Sequence, residues 1–382
     1  MQHIYLDNAA TTALDPAVRE AMLPFLGSEF GNPSSRHPLG VGAREAVDLA
    51  RRQVARATGA EPQDVIFTSG GTEANNLAVL GLARAAAKRG KHLLIGATEH
   101  PSVAEAATAL QQEGFEVERL CLDSGGEVDL QALKALLRPD TCLVAQMLIN
   151  NEFGTRYDIP RMARILRANA PQALLHVDAV QSLGKLQLSM GELGAHSLAI
   201  SAHKVHGPKG SGALVMAPGL RPRPLVFGGG QERGVRGGTE NVAGIVGLGK
   251  AAELAELHVN SGAFQDGRLR ESLRTRLQEV PGARLLDPGA ERSPAVCAIL
   301  LPGAPAEVWM HHLEQRGLYT SVGSACQANK QGIPPALLAL GLDEGQAKRV
   351  LRVSFCHTSS EGELDALIQA LQAIERELGR LN

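Results

Sequence analysis

Short apolar runs alternate with helical patterns between residues 60 and 220. Several runs are apolar at every position, as expected of strands buried on both faces of a parallel sheet. Seven strands are predicted in this way, at residues 64–69, 92–97, 115–122, 141–149, 173–179, 197–202 and 212–217. Helical patterns fill many of the gaps, at residues 72–89, 101–113, 129–137 and 160–170. The alternation predicts an α/β fold with a mostly parallel seven-stranded sheet.

The pattern becomes less regular after about residue 225. A Gly-rich stretch at 227–241 leads into a long helical pattern at 240–258. Beyond it the sequence predicts strands at 294–301, about 318–322 and 349–355, and helices at 305–316, 334–341 and 361–380. Irregular alternation of this kind favours a smaller α+β domain. We therefore expect a large domain at 13–255 and a small domain formed by 1–12 together with 256–382.

Composition narrows the possible functions. The 382 residues carry 38 Lys and Arg against 40 Asp and Glu, a formal charge of −2. Nucleic-acid binders usually have an excess of basic residues and aromatic residues that stack on bases. This chain has no basic excess and only 3% aromatic residues, so no nucleic-acid partner is expected. No apolar run approaches the roughly 18 residues of a membrane helix, and the N-terminus has no apolar signal segment, so no membrane partner is expected.

The cysteines favour a reducing cytoplasm. The five are scattered at 121, 142, 297, 326 and 356 and form no CxxC pair. A secreted disulfide framework and a structural zinc site are both disfavoured by that spacing. His203 and His206 have no acidic or Cys neighbour in sequence that would complete a metal site. No metal is therefore expected.

A Gly-rich turn, TSGGTEANN at 68–76, lies between a predicted strand and a predicted helix. Small residues there expose backbone amides at a helix N-terminus, where a phosphate is favoured. The segment matches neither GxxxxGK[ST] nor GxGxxG, which disfavours a P-loop and a dinucleotide fold. A simple turn before a capped helix is the alternative interpretation.

Two charged residues follow apolar strands. Asp178 ends the strand in ALLHVDAVQS, and Lys204 follows the strand in ISAHKVHGPKGSGAL. Ligands in open α/β sheets bind at these carboxyl ends. A carboxylate there can hold a proton on a pyridine nitrogen, and a partly desolvated lysine can form a Schiff base with an aldehyde cofactor. The alternative for a lone Asp is that it caps the next turn.

Two further candidates are His100 and Cys326. His100 follows another strand end, where an imidazole can lie over a planar ring and move a proton, although a solvated cap is the commoner case. Cys326 lies in SVGSACQANKQG, a segment of small residues that suits a nucleophilic thiol. The other four cysteines lie within or at the ends of apolar runs, which is typical of packed thiols.

These segments, in this order, resemble the cysteine desulfurases of the NifS/IscS type, which are class V aminotransferase-like enzymes of PLP-dependent transferase fold type I. The resemblance runs over nearly the whole chain. It rests on YLDNAATT, GNPSSRHPLG, TSGGTEANN, TEH, INNEFGT, HVDAVQSLGK, SAHKVHGPKG, GGGQERGVRGGTENVAGIVGLGKA and SVGSAC.

The resemblance implies pyridoxal 5'-phosphate (PLP) as the cofactor and a role for each matching position. Lys204 would carry PLP, Asp178 would pair with the ring nitrogen, and His100 would stack on the ring. Two further roles concern the ring oxygen and the phosphate. Gln181 would bind the phenolate oxygen, and the phosphate would be held by Gly71, Thr72, Ser201 and His203. Thr239 would reach the phosphate of the other subunit, which implies a homodimer.

The implied reaction is removal of sulfur from L-cysteine. Asn151 and Arg352 would hold the substrate, and Cys326 would take the sulfur as a persulfide. The products would be L-alanine and sulfur that passes to an acceptor or scaffold protein, for iron–sulfur cluster assembly or tRNA thiolation.

Four alternatives stay open on the sequence. A selenocysteine lyase or another class V aminotransferase-type reaction would use the same cofactor residues. A protein that keeps the fold and mainly binds a scaffold or sulfur carrier is disfavoured, because every expected cofactor residue is present. An NAD-binding enzyme is disfavoured by the missing GxGxxG.

Overall fold

The computed structural model describes residues 3–262, 267–287, 291–323 and 335–379. The strands in that part of the chain are β1 (Ile4–Tyr5), β2 (Val65–Thr68), β3 (His92–Gly96), β4 (Glu116–Leu120), β5 (Thr141–Met147), β6 (Leu174–Asp178), β7 (Ser197–Ser201), β8 (Gly212–Met216), β9 (Arg284–Leu285), β10 (Val296–Leu300), β11 (Leu318–Tyr319), β12 (Ser321–Val322) and β13 (Val350–Ser354). The α-helices there are α1 (Pro16–Met22), α2 (Pro38–Thr58), α3 (Gly71–Asn76), α4 (Ala83–Ala86), α5 (Pro101–Gln112), α6 (Leu130–Leu136), α7 (Ile159–Asn169), α8 (Met190–Leu193), α9 (Val242–Asn260), α10 (Arg268–Arg276), α11 (Ala306–Glu314), α12 (Pro335–Ala339), α13 (Glu344–Ala347) and α14 (Glu361–Gly379).

The main sheet contains the seven strands that the apolar runs predict, in the order β2-β8-β7-β6-β5-β3-β4. β8 runs antiparallel to both of its neighbours, and the other pairs are parallel. This confirms the predicted α/β fold with a mostly parallel sheet. Because β3, β5, β6 and β7 are parallel, their carboxyl ends lie at one edge of the sheet, and β2 ends at the same edge.

A second, four-stranded antiparallel sheet has the order β12-β13-β10-β9. Its central strands β10 and β13 are buried at every position and pack with α11 and α14 around Trp309. A capping box begins the last helix: Ser360 N donates to Glu363 Oε2, and Glu363 N donates to Ser360 Oγ.

The first residues of the chain join the two sheets. β1 pairs in parallel with β11, and Leu6 is fully buried in the core of the smaller sheet. Farther along, Thr12 N donates to the carbonyl of His203, beside the main sheet. We keep the predicted division at residue 255 as a proposal, and that position falls inside α9.

Helix α2 is the longest element that the sequence analysis does not predict. It buries small residues, including Gly40, Ala43 and Ala50, in place of a broad apolar stripe. Its partner is α9, where a Cβ on Gly249 would lie 2.6 Å from the Ala50 Cα. Helices in such close contact need small side chains, so the usual periodicity of large apolar residues is weak. In the described segments, no helix combines the length and apolar character needed to span a bilayer.

Candidate active site

Side chains from four strand ends meet around one open cavity of about 420 Å³. His100 follows β3, Asn151 follows β5, and Asp178 is the last residue of β6. Ser201 is the last residue of β7, and Lys204 lies in the turn after it. Gly71, Thr72, Gln181, His203 and Arg352 complete the predicted set around the same cavity. The structure therefore brings together ten of the twelve predicted site residues.

The remaining two residues lie elsewhere. Thr239 lines a neighbouring cavity, which shares Ser69 and Gly210 with the first. Cys326 lies outside the described residues.

The glycine turn before α3 gives the backbone close access to the cavity. Gly70 has φ of +153°, a conformation that only glycine adopts readily. A Cβ on Gly71 would lie 2.6 Å from Val180 Cγ2, so a larger residue would push the helix start away from its neighbours. α3 continues without a break through Leu77–Leu82 into α4, so its N-terminus carries the dipole of a long helix.

Ser201 offers an unsatisfied hydroxyl beside this turn. The residue is 1% exposed, and its Oγ has no hydrogen-bond partner in the structure. A buried hydroxyl is costly unless it is hydrogen-bonded. Together with the amides of the α3 N-terminus, this hydroxyl fits a bound phosphate group.

Asp178 is held by two donors. Its Oδ2 accepts from Asn75 Nδ2 at 2.7 Å, and its Oδ1 accepts from the Val180 backbone N at 3.0 Å. Asn75 is fixed in turn, because its Oδ1 contacts His176 Nε2 at 3.0 Å and its Nδ2 also donates to Ser102 Oγ at 2.9 Å. Burial lowers the pKa of His176 to about 3, so its ring is neutral. The network keeps the Asp178 carboxylate at the floor of the cavity.

His100 is part of the same network. It caps α5, and its Nδ1 accepts from the Ser102 backbone N at 3.1 Å and lies 2.8 Å from Ser102 Oγ. Burial lowers the pKa of His100. The charge of Asp178 opposes this shift, and the charge of Lys204 adds to it. Since Nδ1 accepts a backbone hydrogen bond, the proton of the neutral ring is on Nε2.

Lys204 points toward the N-terminal segment. Its Nζ donates to the carbonyls of Ala9 at 2.5 Å and Ala10 at 2.8 Å. His203 also reaches this segment, with Nδ1 3.2 Å from Thr11 Oγ1. Burial, and then the charges of Lys204 and Lys209, lower the pKa of His203 to about 4.

Arg352 enters the cavity from the smaller sheet. It lies on β13 and is 2% exposed. Nη1 donates to the Asn151 carbonyl at 2.9 Å, and Nη2 donates to Asp7 Oδ1 at 2.7 Å. Nε has no partner, so three of the five guanidinium N–H groups are available to a ligand.

The loop that carries Thr239 is tied to the glycine turn. Arg236 Nε donates to Glu73 Oε1 on α3 at 2.9 Å, and Glu73 Oε2 accepts from the Ser69 backbone N at 2.9 Å. Burial would raise the pKa of Glu73, but the hydrogen bonds from Arg236 and Ser69 lower it, so the carboxylate is ionised. Earlier in the loop, Glu232 accepts two hydrogen bonds from Arg51.

Sequence reasoning missed several residues of this site. Asn75 orients Asp178, Asp7 holds Arg352, and Lys185 donates to Gln181 Oε1 at 2.8 Å. Asn75 and Lys185 lie inside motifs quoted above, but nothing in their spacing indicates these contacts. Within the described segments, no group of three or more His, Cys, Asp or Glu side chains is arranged to hold a metal ion.

Comparison with known proteins identifies the class. The family model described as "Aminotransferase class-V" matches residues 4–367. The chain belongs to this family, whose cysteine desulfurase members depend on PLP.

The similar curated proteins are cysteine desulfurases. One from Nostoc sp. is 39% identical, with 100% of this chain and 95% of that protein covered. "Cysteine desulfurase IscS 1" from Archaeoglobus fulgidus is 37% identical, with coverage of 97% and 96%. Among solved structures, a "NIFS-like protein" has a TM-score of 0.91 at 35% identity, covering 98% of this chain and 99% of its own. "SspA in complex with cysteine" has a TM-score of 0.82 at 31% identity, covering 94% and 100%.

Proposed function

We propose that this chain is a PLP-dependent cysteine desulfurase in which Lys204 carries the cofactor and Cys326 receives the sulfur. One observation supports this most directly: Lys204, Asp178 and Arg352 surround a single cavity beside a helix N-terminus. An aldehyde-binding amine, a carboxylate for a ring nitrogen and a guanidinium for an α-carboxylate are the groups that such a cofactor and an amino acid require. The cysteine desulfurases among its relatives support the same reaction.

The residues present fit PLP. The unpartnered Ser201 hydroxyl and the amides at Gly71 and Thr72 would hold the phosphate, with His203 beside them. His100 would lie against the ring. PLP, when bound, acts as an electron sink that makes the Cα proton acidic and the Cβ–Sγ bond labile.

The ring is positioned by two further residues. Asp178 would keep the ring nitrogen protonated, because Asn75 and the Val180 amide hold its carboxylate in place. Gln181 would donate to the phenolate oxygen. The amide has two N–H groups, and one of them is used on the Ala9 carbonyl.

The substrate would be held by Arg352 and Asn151. The three available N–H groups of Arg352 include Nε, so the guanidinium can grip a carboxylate with two parallel hydrogen bonds. Its other contacts, to Asp7 and the Asn151 carbonyl, fix the plane of the guanidinium. The substrate Cα would then face Lys204, whose amine is the group available to move the Cα proton.

Transfer of the substrate sulfur to Cys326 requires no added oxidant. The Cys326 thiolate attacks the substrate sulfur, a new S–S bond forms, and the Cβ–Sγ bond breaks. The electron pair of the broken bond ends on Cβ, which takes a proton and becomes the methyl group of alanine. L-cysteine and the Cys326 thiol thus give L-alanine and a persulfide. An acceptor or scaffold protein would then take that sulfur, for iron–sulfur cluster assembly or tRNA thiolation.

We also propose a homodimer that shares its active sites. Thr239 lies in the neighbouring cavity and would serve the phosphate of the partner subunit. Several large apolar side chains are exposed. Phe227, which precedes Thr239 in the Gly-rich stretch, is 83% exposed. Phe30 is 75% exposed and Leu26 is 68% exposed. A second copy of the chain is the partner that such exposure favours. Mixing Lys204→Ala subunits with Thr239→Val subunits should then yield heterodimers in which one site has both defects and the other has neither.

A reducing compartment fits the thiols. The four cysteines in the described segments, Cys121, Cys142, Cys297 and Cys356, are all free. We therefore propose a cytoplasmic location.

The deciding experiment is an assay of the purified protein with PLP, L-cysteine and a thiol reductant. Equal amounts of alanine and sulfide, together with an added sulfur on Cys326 seen by mass spectrometry, are expected. A yellow protein that forms no sulfide would point instead to a different PLP reaction. A protein that takes up no PLP would overturn the proposal.

A further inference from the structure

Lys185 is a buried lysine beside the active site with no role in the reaction described above. It is 7% exposed, and its Nζ donates to Gln181 Oε1 at 2.8 Å. An ammonium group can only donate, so the oxygen of the Gln181 amide must face it. On the other side, the Ala9 carbonyl can only accept, so the NH₂ end must face Ala9, at 2.9 Å. Both neighbours therefore fix the same orientation of the amide.

This orientation matters for the cavity. Gln181 lines it, and one N–H of its amide is still available there. If Lys185 were lost, the amide could turn over and present its oxygen to the ligand. An oxygen facing the phenolate of the cofactor would repel it. The contact from Lys185 thus acts together with the Ala9 carbonyl to keep Gln181 a donor in the cavity.

Lys185 is also linked to Lys204. Both Gln181 Nε2 and Lys204 Nζ donate to the Ala9 carbonyl, so one amide and one carbonyl connect the two amines. Burial, then the charge of Lys204, lowers the pKa of Lys185 to about 7, with Arg352 adding to the effect and Cys356 opposing it. Repulsion between two cations is mutual, so a charged Lys185 also makes protonation of Lys204 less favourable.

Other ionisable groups surround this pair. Lys185 also lines a second cavity, together with Asp15, Lys204, His206, His258, Cys356 and His357. Burial would raise the pKa of Cys356, but hydrogen bonds from His206 and Thr358 bring it to about 7. Burial and the two neighbouring histidines lower the pKa of His357 to about 4. His357 is therefore neutral at pH 7, and the thiol is partly ionised.

We propose that Lys185 is a positioning residue for the reaction, which holds the Gln181 amide with its N–H toward the cofactor ring and uses its charge to weaken proton binding at the Lys204 nitrogen. The inference rests on the proposed roles of Lys204 and Gln181. A lysine that binds its proton less tightly is a better nucleophile toward an aldehyde and a better base near neutral pH.

The test uses three variants of the full chain, each reconstituted with PLP. Lys185→Met keeps the apolar stem and removes both the charge and the donor. Lys185→Gln removes the charge and keeps an NH₂ donor. Lys134→Met is the matched control, because Lys134 is exposed on α6, away from the cavity. Three readouts are taken: the pH midpoint of the absorbance change of the bound cofactor, its dissociation constant, and the lysine labelled by borohydride trapping.

Both Lys185 variants should move the midpoint upward by about one pH unit, the low end of what one nearby charge causes. Lys185→Met should also bind PLP about fivefold more weakly, as expected from one hydrogen bond, while Lys185→Gln keeps most of the affinity. Lys134→Met should match the wild type. If Lys185→Met does not fold, the midpoint of Lys185→Gln decides the charge effect.

An unchanged midpoint, with borohydride label still on Lys204, would overturn this inference and leave the proposed function standing. Label on Lys185 in the wild-type protein would overturn both.

Discussion

Replacing Asp178 with Asn tests the buried network at the floor of the cavity. The carboxylate accepts from Asn75 Nδ2 on one oxygen and from the Val180 amide on the other. An Asn side chain has one oxygen, so its NH₂ would face one of these two donors. Asn75 cannot turn over to relieve the clash, because its Oδ1 contacts His176 and its Nδ2 also donates to Ser102.

The variant therefore leaves one buried donor without an acceptor. Such a group costs about 1–3 kcal/mol of folding free energy. The apparent melting temperature of the cofactor-free protein should fall by about 2 °C or more. Turnover should fall much further, because an amide cannot stabilise a protonated ring nitrogen as a carboxylate does. PLP should still bind, since Lys204 and the phosphate-binding residues are unchanged.

Thermal unfolding without PLP, a PLP titration and an alanine assay measure the three effects separately. Asp129→Asn is the matched control. Asp129 likewise accepts two hydrogen bonds, both from backbone amides, as the N-cap of α6, but it lies outside the site. Asn is as good an N-cap as Asp. An Asp178→Asn protein with wild-type melting temperature and near-normal turnover would refute both the network and the role of Asp178.

Three further substitutions test other parts of the site. Lys204→Ala should abolish the covalent cofactor and turnover, checked by borohydride trapping and peptide mapping of the wild type; label on Lys209 would contradict the assignment. Cys326→Ala should bind PLP and cysteine but release no alanine, and sulfur found on Cys356 after a cysteine pulse, with this variant still active, would refute the role of Cys326. Gly212→Ala should weaken PLP binding at least tenfold, because the Cβ of the new alanine would lie 2.6 Å from the Gly70 Cα and must displace the glycine turn before α3. An unchanged dissociation constant for PLP would show that this turn adapts.

The sequence predicts the main sheet and the residues at its strand ends for a physical reason. Strands buried on both faces have continuous apolar runs in the sequence, and parallel strands bring their carboxyl ends to one edge of the sheet. Asp178, Ser201 and Lys204 can therefore be assigned to one site from the sequence alone. Their chemical roles follow from the order of the motifs.

The supporting contacts could not be predicted, because they join distant parts of the chain. Arg352 meets Asp7 across 345 residues, and Lys204 meets Ala9 across 195. Asn75 reaches Asp178 across 103 residues. No local period or spacing encodes such pairs. Helix α2 was missed for a different reason: its buried face consists of small residues, which hydrophobic patterning detects poorly.

The N-terminal segment has a consequence for biosynthesis. Its residues are synthesised well before β13, but Ala9 hydrogen-bonds to Ser354, 345 residues later. At about 5–20 residues per second, the segment waits roughly 20–70 s for that partner. During that time Leu6 has no core to enter, and the Lys204 amine lacks its finished surroundings. The core that takes Leu6, and the contact of Arg352 with Asp7, should therefore form only after β13 has been synthesised, and a chaperone that shields residues 3–12 until then would raise the yield of active enzyme.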